Sequence, residues 1–243
     1  MSARLIVVSG TGTGVGKTYV ACALTSALGM SGRACALKPF ESGAPGPLGP
    51  DQSALAACST DDASALGFAS HCFPLPVAPP VAARAAGARV DALEFLRAVD
   101  RVRAQYAGNL VVELAGGLFS PFDGNRSNAD VVRALGSDTH VLVAPNRLGV
   151  LHDVRAALLA ARAEGLTVDA LIVTHPSAAS GDVSRDTNAR ELADIFGESP
   201  FVLPSGPPRE AAARIHAALA SGALPGHPFP RPAPRASRTR GNG

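Results

Sequence analysis

Leu5-Ile6-Val7-Val8-Ser9-Gly10-Thr11-Gly12-Thr13-Gly14-Val15-Gly16-Lys17-Thr18 places an apolar run directly before a glycine-rich loop that ends in Lys-Thr. Thr18–Met30 follows with the composition of a helix. Strand, glycine loop, Lys-Thr and helix is the order in which a phosphate-binding loop is built. Glycines let successive backbone N–H groups turn inward around a polyanion, and the amino end of the helix adds partial positive charge. Lys17 is then expected to bridge the terminal phosphates of a nucleotide, with the Thr18 hydroxyl offered to Mg²⁺. The usual spacing puts a glycine six positions before the lysine. That place is Thr11 here, and Gly10 lies one residue further back, so the loop is longer by one.

Outward from this loop, apolar runs suited to buried strands recur at Leu5–Val8, Ala34–Leu37, Leu110–Val112, His140–Ala144, Ala170–Thr174 and Phe201–Leu203. Helix-like segments alternate with them at Thr18–Met30, Asp51–Ala57, Asp91–Ala107, Asn128–Leu135, Leu151–Glu164, Asp186–Phe196 and Arg209–Ala220. Such alternation predicts parallel crossover units. The expected architecture is α/β, a three-layer P-loop NTPase fold whose mainly parallel central sheet is flanked by helices. Right-handed crossovers bring the carboxyl ends of the strands to one edge, and every motif discussed here falls on a loop at that edge. Residues 59–90 interrupt the alternation with Pro74, Pro76, Pro79 and Pro80, and are expected to cover an edge or face. One domain is expected over residues 1–224, followed by a Pro- and Arg-rich tail, 225–243, with the composition of a disordered end.

Of the 22 basic residues, Arg231, Arg235, Arg238 and Arg240 belong to that tail, which has no acid; the remaining 18 face 20 acidic residues, so the formal +2 conceals a body near −2. No Lys/Arg cluster on the body marks a nucleic-acid surface. The apolar stretches are too short to span a bilayer, and Met1–Arg4 lacks the layout of a signal peptide, so a cytoplasmic protein is expected. Cys22, Cys35, Cys58 and Cys72 show no paired spacing, and are expected to be buried, reduced thiols.

A second group of polar residues surrounds the loop. Lys38-Pro39-Phe40-Glu41-Ser42-Gly43 follows a strand, and Pro39 stops it, presenting Lys38 and Ser42 from a rigid turn. A lysine there can offset charge on a reacting carboxyl or phosphoryl group, though a solvated lysine before a turn fits the residues equally well. Asp51 opens a helix, as metal ligand or plain cap. Glu113 ends the strand Leu110–Val112; an acid there is costly unless paired or bound to metal, the alternative being an exposed strand end. Ala115-Gly116-Gly117 behind it permits close approach of backbone to ligand.

Together these residues resemble the dethiobiotin synthetase family. The long loop Gly10–Thr18, the Lys-Pro-x-x-Ser-Gly motif at Lys38–Gly43 and the helix-opening acid Asp51 match in order. Phe73, Pro76 and Pro79, followed by Ala82 and Ala83, match a Phe-x-x-Pro-x-x-Pro segment. Glu113, Ala115–Gly117, Phe119 and Pro121 match a Glu-x-Ala-Gly-Gly motif, and Arg147-Leu148-Gly149 a basic-Leu-Gly turn. The resemblance implies an ATP-dependent cyclo-ligase that carboxylates 7,8-diaminononanoate with CO2, phosphorylates the carbamate and closes a cyclic urea in biotin synthesis. It implies that Thr13, Lys38 and Ser42 surround the carbamate, with Lys17 helping to neutralise it. It implies Mg²⁺ at Thr18, Asp51 and Glu113. ATP would lie along Gly14, Val15, Gly16, Lys17, Thr18 and Tyr19, with Asp51, Glu113, Leu114, Ala115, Gly116, Thr174 and His175. It further implies a homodimer in which Arg147, Leu148, Gly149, Val150 and Leu151 hold the acid tail of the partner's substrate.

The chain departs from the family pattern at recognition positions. Leu114 replaces a glycine and is expected to narrow the space beside the nucleotide; Pro80 replaces a histidine; His152-Asp153 replaces Asn-His; Thr174-His175 replaces the adenine-reading Asn-Asp. One alternative is a paralogue with the same carbamate-phosphate chemistry on another amino acid. The other is a non-ligase ATPase switch, against which Gly12 stands where such proteins carry a signature lysine.

Overall fold

Burial of alternate side chains on opposite faces organises the chain. The computed structural model describes residues 2–175, 181–196, 199–222 and 224; the expected tail lies outside them. The six main strands are β1 (Arg4–Gly10), β2 (Ala34–Leu37), β5 (Asn109–Glu113), β6 (Thr139–Pro145), β7 (Ala170–Thr174) and β8 (Phe201–Leu203). They form one sheet in the order β2-β5-β1-β6-β7-β8, and every pairing is parallel. Leu5, Val7, Leu110, Val112, Leu142, Ala144, Leu171 and Val173 enter one apolar cluster, while Ile6, Val8, Val111, Val141, Val143 and Ile172 enter the other. A two-residue period with both faces buried is why these strands read as unbroken apolar runs.

The second cluster is closed by α1 (Lys17–Gly29), α2 (Pro50–Cys58) and α8 (Pro208–Ser221), through Val20, Leu24, Leu55 and Ile215. The first is closed by α4 (Ala92–Gln105), α5 (Asn128–Leu135), α6 (Val150–Ala163) and α7 (Arg185–Phe196), through Phe95, Val99, Val132, Val154, Leu158 and Leu192. The result is three layers. Its sheet order reverses beside β1, so the loop after β1 lies at the crevice where ligands bind in such folds.

Residues 59–90 do cover the first cluster, with Phe68, Phe73, Ala82, Ala83 and Val90 buried in it. They also hold regular structure that the sequence reading lacked. β3 (Phe40–Ser42) pairs in parallel with β4 (His71–Phe73), Phe40 opposite His71, and α3 (Pro79–Ala85) follows. Pro79 and Pro80 open that helix, where a missing N–H costs nothing. The cysteines depart from expectation too. Only Cys35 is fully buried; the half-buried Cys22 and Cys58 pack from α1 and α2 against the second cluster, and the Cys58 thiol donates to Leu55 O at 3.1 Å.

Candidate active site

The loop after β1 is held from below. Thr11 N–H donates to Val143 O at 2.9 Å, Leu118 N–H donates to Gly10 O at 2.8 Å, and Val15 is buried in the second cluster. Gly16 caps α1 with φ +91°, and a Cβ there would lie 2.9 Å from Thr174 Oγ1, so both backbone and space require glycine. Lys17 Nζ folds back over the loop and donates to Gly12 O at 2.8 Å. Burial lowers its pKa to about 8, against the pull of Glu113 and with the help of Lys38.

Lys38 leaves the end of β2 only 5% exposed. Its Nζ donates to Asp51 Oδ2 at 2.5 Å and to Glu113 Oε1 at 2.8 Å. Thr18 Oγ1 donates to the same Glu113 oxygen at 3.0 Å. Burial works against the Lys38 ammonium, but the charge of Glu113 and hydrogen bonds to both carboxylates outweigh it, leaving the pKa above its ordinary value. Glu113 is fully buried, and desolvation raises its pKa against the opposing effect of Lys38. The solvated lysine and the exposed strand end are thereby ruled out as descriptions of these two residues.

These side chains open into a cavity of about 600 Å³. Thr13, Gly14, Gly16, Lys17, Thr18, Lys38, Ser42, Asp51, Glu113, Ala115 and Gly116 all line it, with Pro76–Pro79 on the far side. Glu113 Oε2 is buried with no hydrogen-bond partner among the described residues. A bare carboxylate oxygen beside a threonine hydroxyl and a second carboxylate suits Mg²⁺, which binds through one or two carboxylates and completes its shell with phosphate oxygens and water. Among the described residues no group of three or more His, Cys, Asp or Glu could hold a metal. The oxygens of Thr18, Glu113 and Asp51 fit an ion that shares its shell with nucleotide phosphates.

Other expected residues lie elsewhere. Leu114 is fully buried in the first cluster, with Leu110 and Val112 on its face of the sheet, so it does not narrow the nucleotide space. The two-residue period explains this: Glu113 and Leu114 must point to opposite sides. Thr174 Oγ1 is taken up by Val15 O at 2.8 Å under the loop, and His175 Nε2 lies 3.2 Å from Asn146 Nδ2; neither lines the cavity. Tyr19 donates its hydroxyl to Pro204 O at 3.0 Å, bolting α1 to the loop after β8. Arg147–Leu151 form the turn into α6, also outside the cavity: Arg147 pairs with Asp153 at 2.8 Å, and Leu148 is 75% exposed.

Three residues escaped the sequence reading. Glu41 is buried beside the cavity, and Ser120 lines it. Asn128, buried at the start of α5, donates from Nδ2 to Ala115 O at 2.7 Å and Gly117 O at 2.8 Å. Those two bonds fix the peptide planes behind Glu113. The sequence starts a helix at Asn128, and the structure caps it with a Ser127–Asp130 box, but nothing in the sequence shows where the Asn128 amide points.

A parallel sheet with a glycine loop entering a helix, a lysine over that loop and a Thr–Glu pair beneath it define a P-loop nucleotide-binding protein. A family model described as an AAA domain matches residues 4–209. A ParA-family ATPase from Chlorobium tepidum TLS superposes with a TM-score of 0.52 at 14% identity, covering 90% of this chain and 93% of that one, a likeness of fold alone. The ATP-dependent dethiobiotin synthetase of Caulobacter sp. (strain K31) is 34% identical over 231 residues, covering 92% of this chain and 99% of the relative. That of Anaeromyxobacter sp. (strain Fw109-5) is 38% identical over 203 residues, covering 82% and 88%. The chain belongs to the ATP-dependent dethiobiotin synthetase family.

Proposed function

We propose that the chain converts 7,8-diaminononanoate, CO2 and ATP into dethiobiotin, ADP and phosphate. One amine adds to CO2 and loses a proton, giving a carbamate. A carbamate oxygen takes the γ-phosphoryl group and ADP leaves. The second amine then attacks the carbonyl carbon of the mixed anhydride; the C–N bond closes the ring as phosphate departs and a proton goes to solvent. The single observation carrying this reading is that two buried ammonium groups, Lys17 and Lys38, face one cavity beside a carboxylate with an unused oxygen. Carbamate and γ-phosphate are both anions, so their approach requires cations fixed in place before reaction.

In this reading Lys17 and the loop N–H groups bind the phosphates, and Thr13, Lys38 and Ser42 hold the carbamate. Thr18, Glu113 and Asp51 would hold Mg²⁺, which neutralises phosphate oxygens when bound. Thr174 supports the loop through Val15, and the nucleotide base lies toward His175. Arg147, Leu148 and Gly149, exposed in the single chain, serve the substrate bound by the partner in a homodimer, while Val150, buried in the first cluster, and the half-buried Leu151 anchor the turn instead of reaching a substrate. In this reading the enzyme works in the cytoplasm, where ATP is supplied. A second reading, the same chemistry on a different amino acid, draws on the Arg147–Asp153 pair, which engages a guanidinium otherwise available to a substrate carboxylate.

Incubation of purified protein with ATP, Mg²⁺, bicarbonate and diaminononanoate tests both. ADP release and dethiobiotin in equal amounts are expected. No ADP release above background rejects the first reading, and release with another diamine or amino acid alone supports the second.

A further inference from the structure

We propose that Glu41 is the positioning residue for Asp51, setting it where it can serve the divalent cation; this rests on the metal-binding reading of Asp51 above. Glu41 lies in β3 and is only 6% exposed, yet among the described residues no cation pairs with it. Its carboxylate caps a helix instead. Oε1 accepts the Asp51 N–H at 3.1 Å and Oε2 accepts the Gln52 N–H at 2.9 Å. Those are first-turn donors of α2, whose cap residue Gly49 has no side chain to satisfy them. An anion is also favoured there by the helix dipole. Although Glu41 borders the cavity, both its oxygens are occupied by backbone, so it acts through Asp51 rather than as a ligand.

Two further features make this contact specific. A Cβ on Gly49 would fall 2.2 Å from Glu41 Cδ, so only glycine lets the helix end settle onto the carboxylate. Gln52 completes the joint, accepting the Gly49 N–H at 3.1 Å and donating to His71 O at 3.0 Å and Lys38 O at 3.3 Å. The first turn of α2 is thus fixed to the β3–β4 ribbon and to the end of β2 together. Asp51, reaching Lys38 from that turn, has its direction set by Glu41.

The test measures Mn²⁺ binding by electron paramagnetic resonance with a non-hydrolysable ATP analogue, in wild type, Glu41→Gln and Gly49→Ala. Glutamine keeps the shape but turns an NH2 group toward a backbone N–H; alanine displaces the carboxylate from the opposite side. Both variants are expected to weaken Mn²⁺ about ten-fold or more, with metal-free analogue binding within about two-fold of wild type. The Mg²⁺ concentration giving half-maximal activity should rise in step, while kcat at saturating Mg²⁺ changes little. A purely structural cap would lower the melting temperature and leave Mn²⁺ affinity alone; that result in either folded variant overturns the proposal. Gly49→Ala carries the test if Glu41→Gln does not fold. Failure of wild type to bind Mn²⁺ with the analogue overturns the metal reading itself, and the inference with it.

Discussion

Replacing Lys38 by Met removes the ammonium that is bonded to a fully buried carboxylate. Glu113 would keep the Thr18 hydroxyl, at 3.0 Å, and lose its 2.8 Å ion pair. Breaking a buried pair by deleting one partner costs about 3–5 kcal/mol. The alternative open to the variant is to fold with Glu113 protonated. From an ordinary pKa of about 4.3, that costs roughly 2.7 pH units at pH 7, or about 3.7 kcal/mol at about 1.36 kcal/mol per unit. Asp51 has a side chain 43% exposed and adds less than about 1 kcal/mol. Wild type already carries part of that cost, since its own Glu113 pKa is raised, so the expected loss is at most about 4 kcal/mol at neutral pH, a large share of a typical stability of about 5–15 kcal/mol.

The pH dependence has a definite sign. Glu113 already has a folded pKa above its unfolded value in wild type, and losing Lys38 raises it further, so the added penalty is absent below the wild-type folded pKa and grows as pH rises toward the variant's. Urea unfolding in EDTA at pH 7.5 and 5.5 should show the deficit shrinking at the lower pH, by up to about 2.7 kcal/mol. Adding Glu113→Gln to Lys38→Met should restore most of the loss. A single variant that loses less than about 1 kcal/mol at pH 7.5, or a deficit that neither follows pH nor responds to Glu113→Gln, would refute the burial argument.

Three shorter expectations accompany it. Lys17→Ala should reduce ATP turnover to background in a coupled ADP assay while its far-UV dichroism stays that of wild type; near-normal turnover contradicts the loop assignment. Asn128→Ala leaves the half-buried carbonyl of Ala115 and the buried one of Gly117 without their donor, which should cost about 2 kcal/mol in urea unfolding and raise the KM for ATP; an unchanged KM would detach Asn128 from the site. His140 is buried between Ser9 Oγ at 2.8 Å and Thr167 O at 2.9 Å, and desolvation lowers its pKa. Its neutral form stabilises the fold above the unfolded value of about 6.5, and that contribution is lost as pH falls toward the folded pKa, so His140→Gln should flatten the decline in stability between about pH 7.5 and 5.5.

The sheet was legible because its strands are buried on both faces, which leaves runs such as Leu110–Val112 without polar interruption. The loop was legible because glycines before Lys17-Thr18 have few other uses between a strand and a helix. The β3–β4 ribbon was not, since three residues such as His71–Phe73 are too short for a period to show. Glu41 was hidden within the spacing of Lys-Pro-x-x-Ser-Gly, where its partner is a helix end ten residues on. That Cys22 and Cys58 share one cluster depends on how α1 and α2 pack, which no spacing encodes. Leu114 was misread although the strand period already set its direction, opposite to Glu113. Thr174 read as a base contact because its place in the strand was clear, while the bond from its hydroxyl to the Val15 carbonyl was not.

The chemistry itself is tested most directly by tracing oxygen. Rapid-quench reaction with ¹⁸O-labelled bicarbonate, ATP, Mg²⁺ and diaminononanoate, faster than CO2 exchanges with water, should place one labelled oxygen in the phosphate released with each dethiobiotin. Dethiobiotin formed alongside unlabelled phosphate would contradict transfer of the γ-phosphoryl group to a carbamate between Lys17 and Lys38.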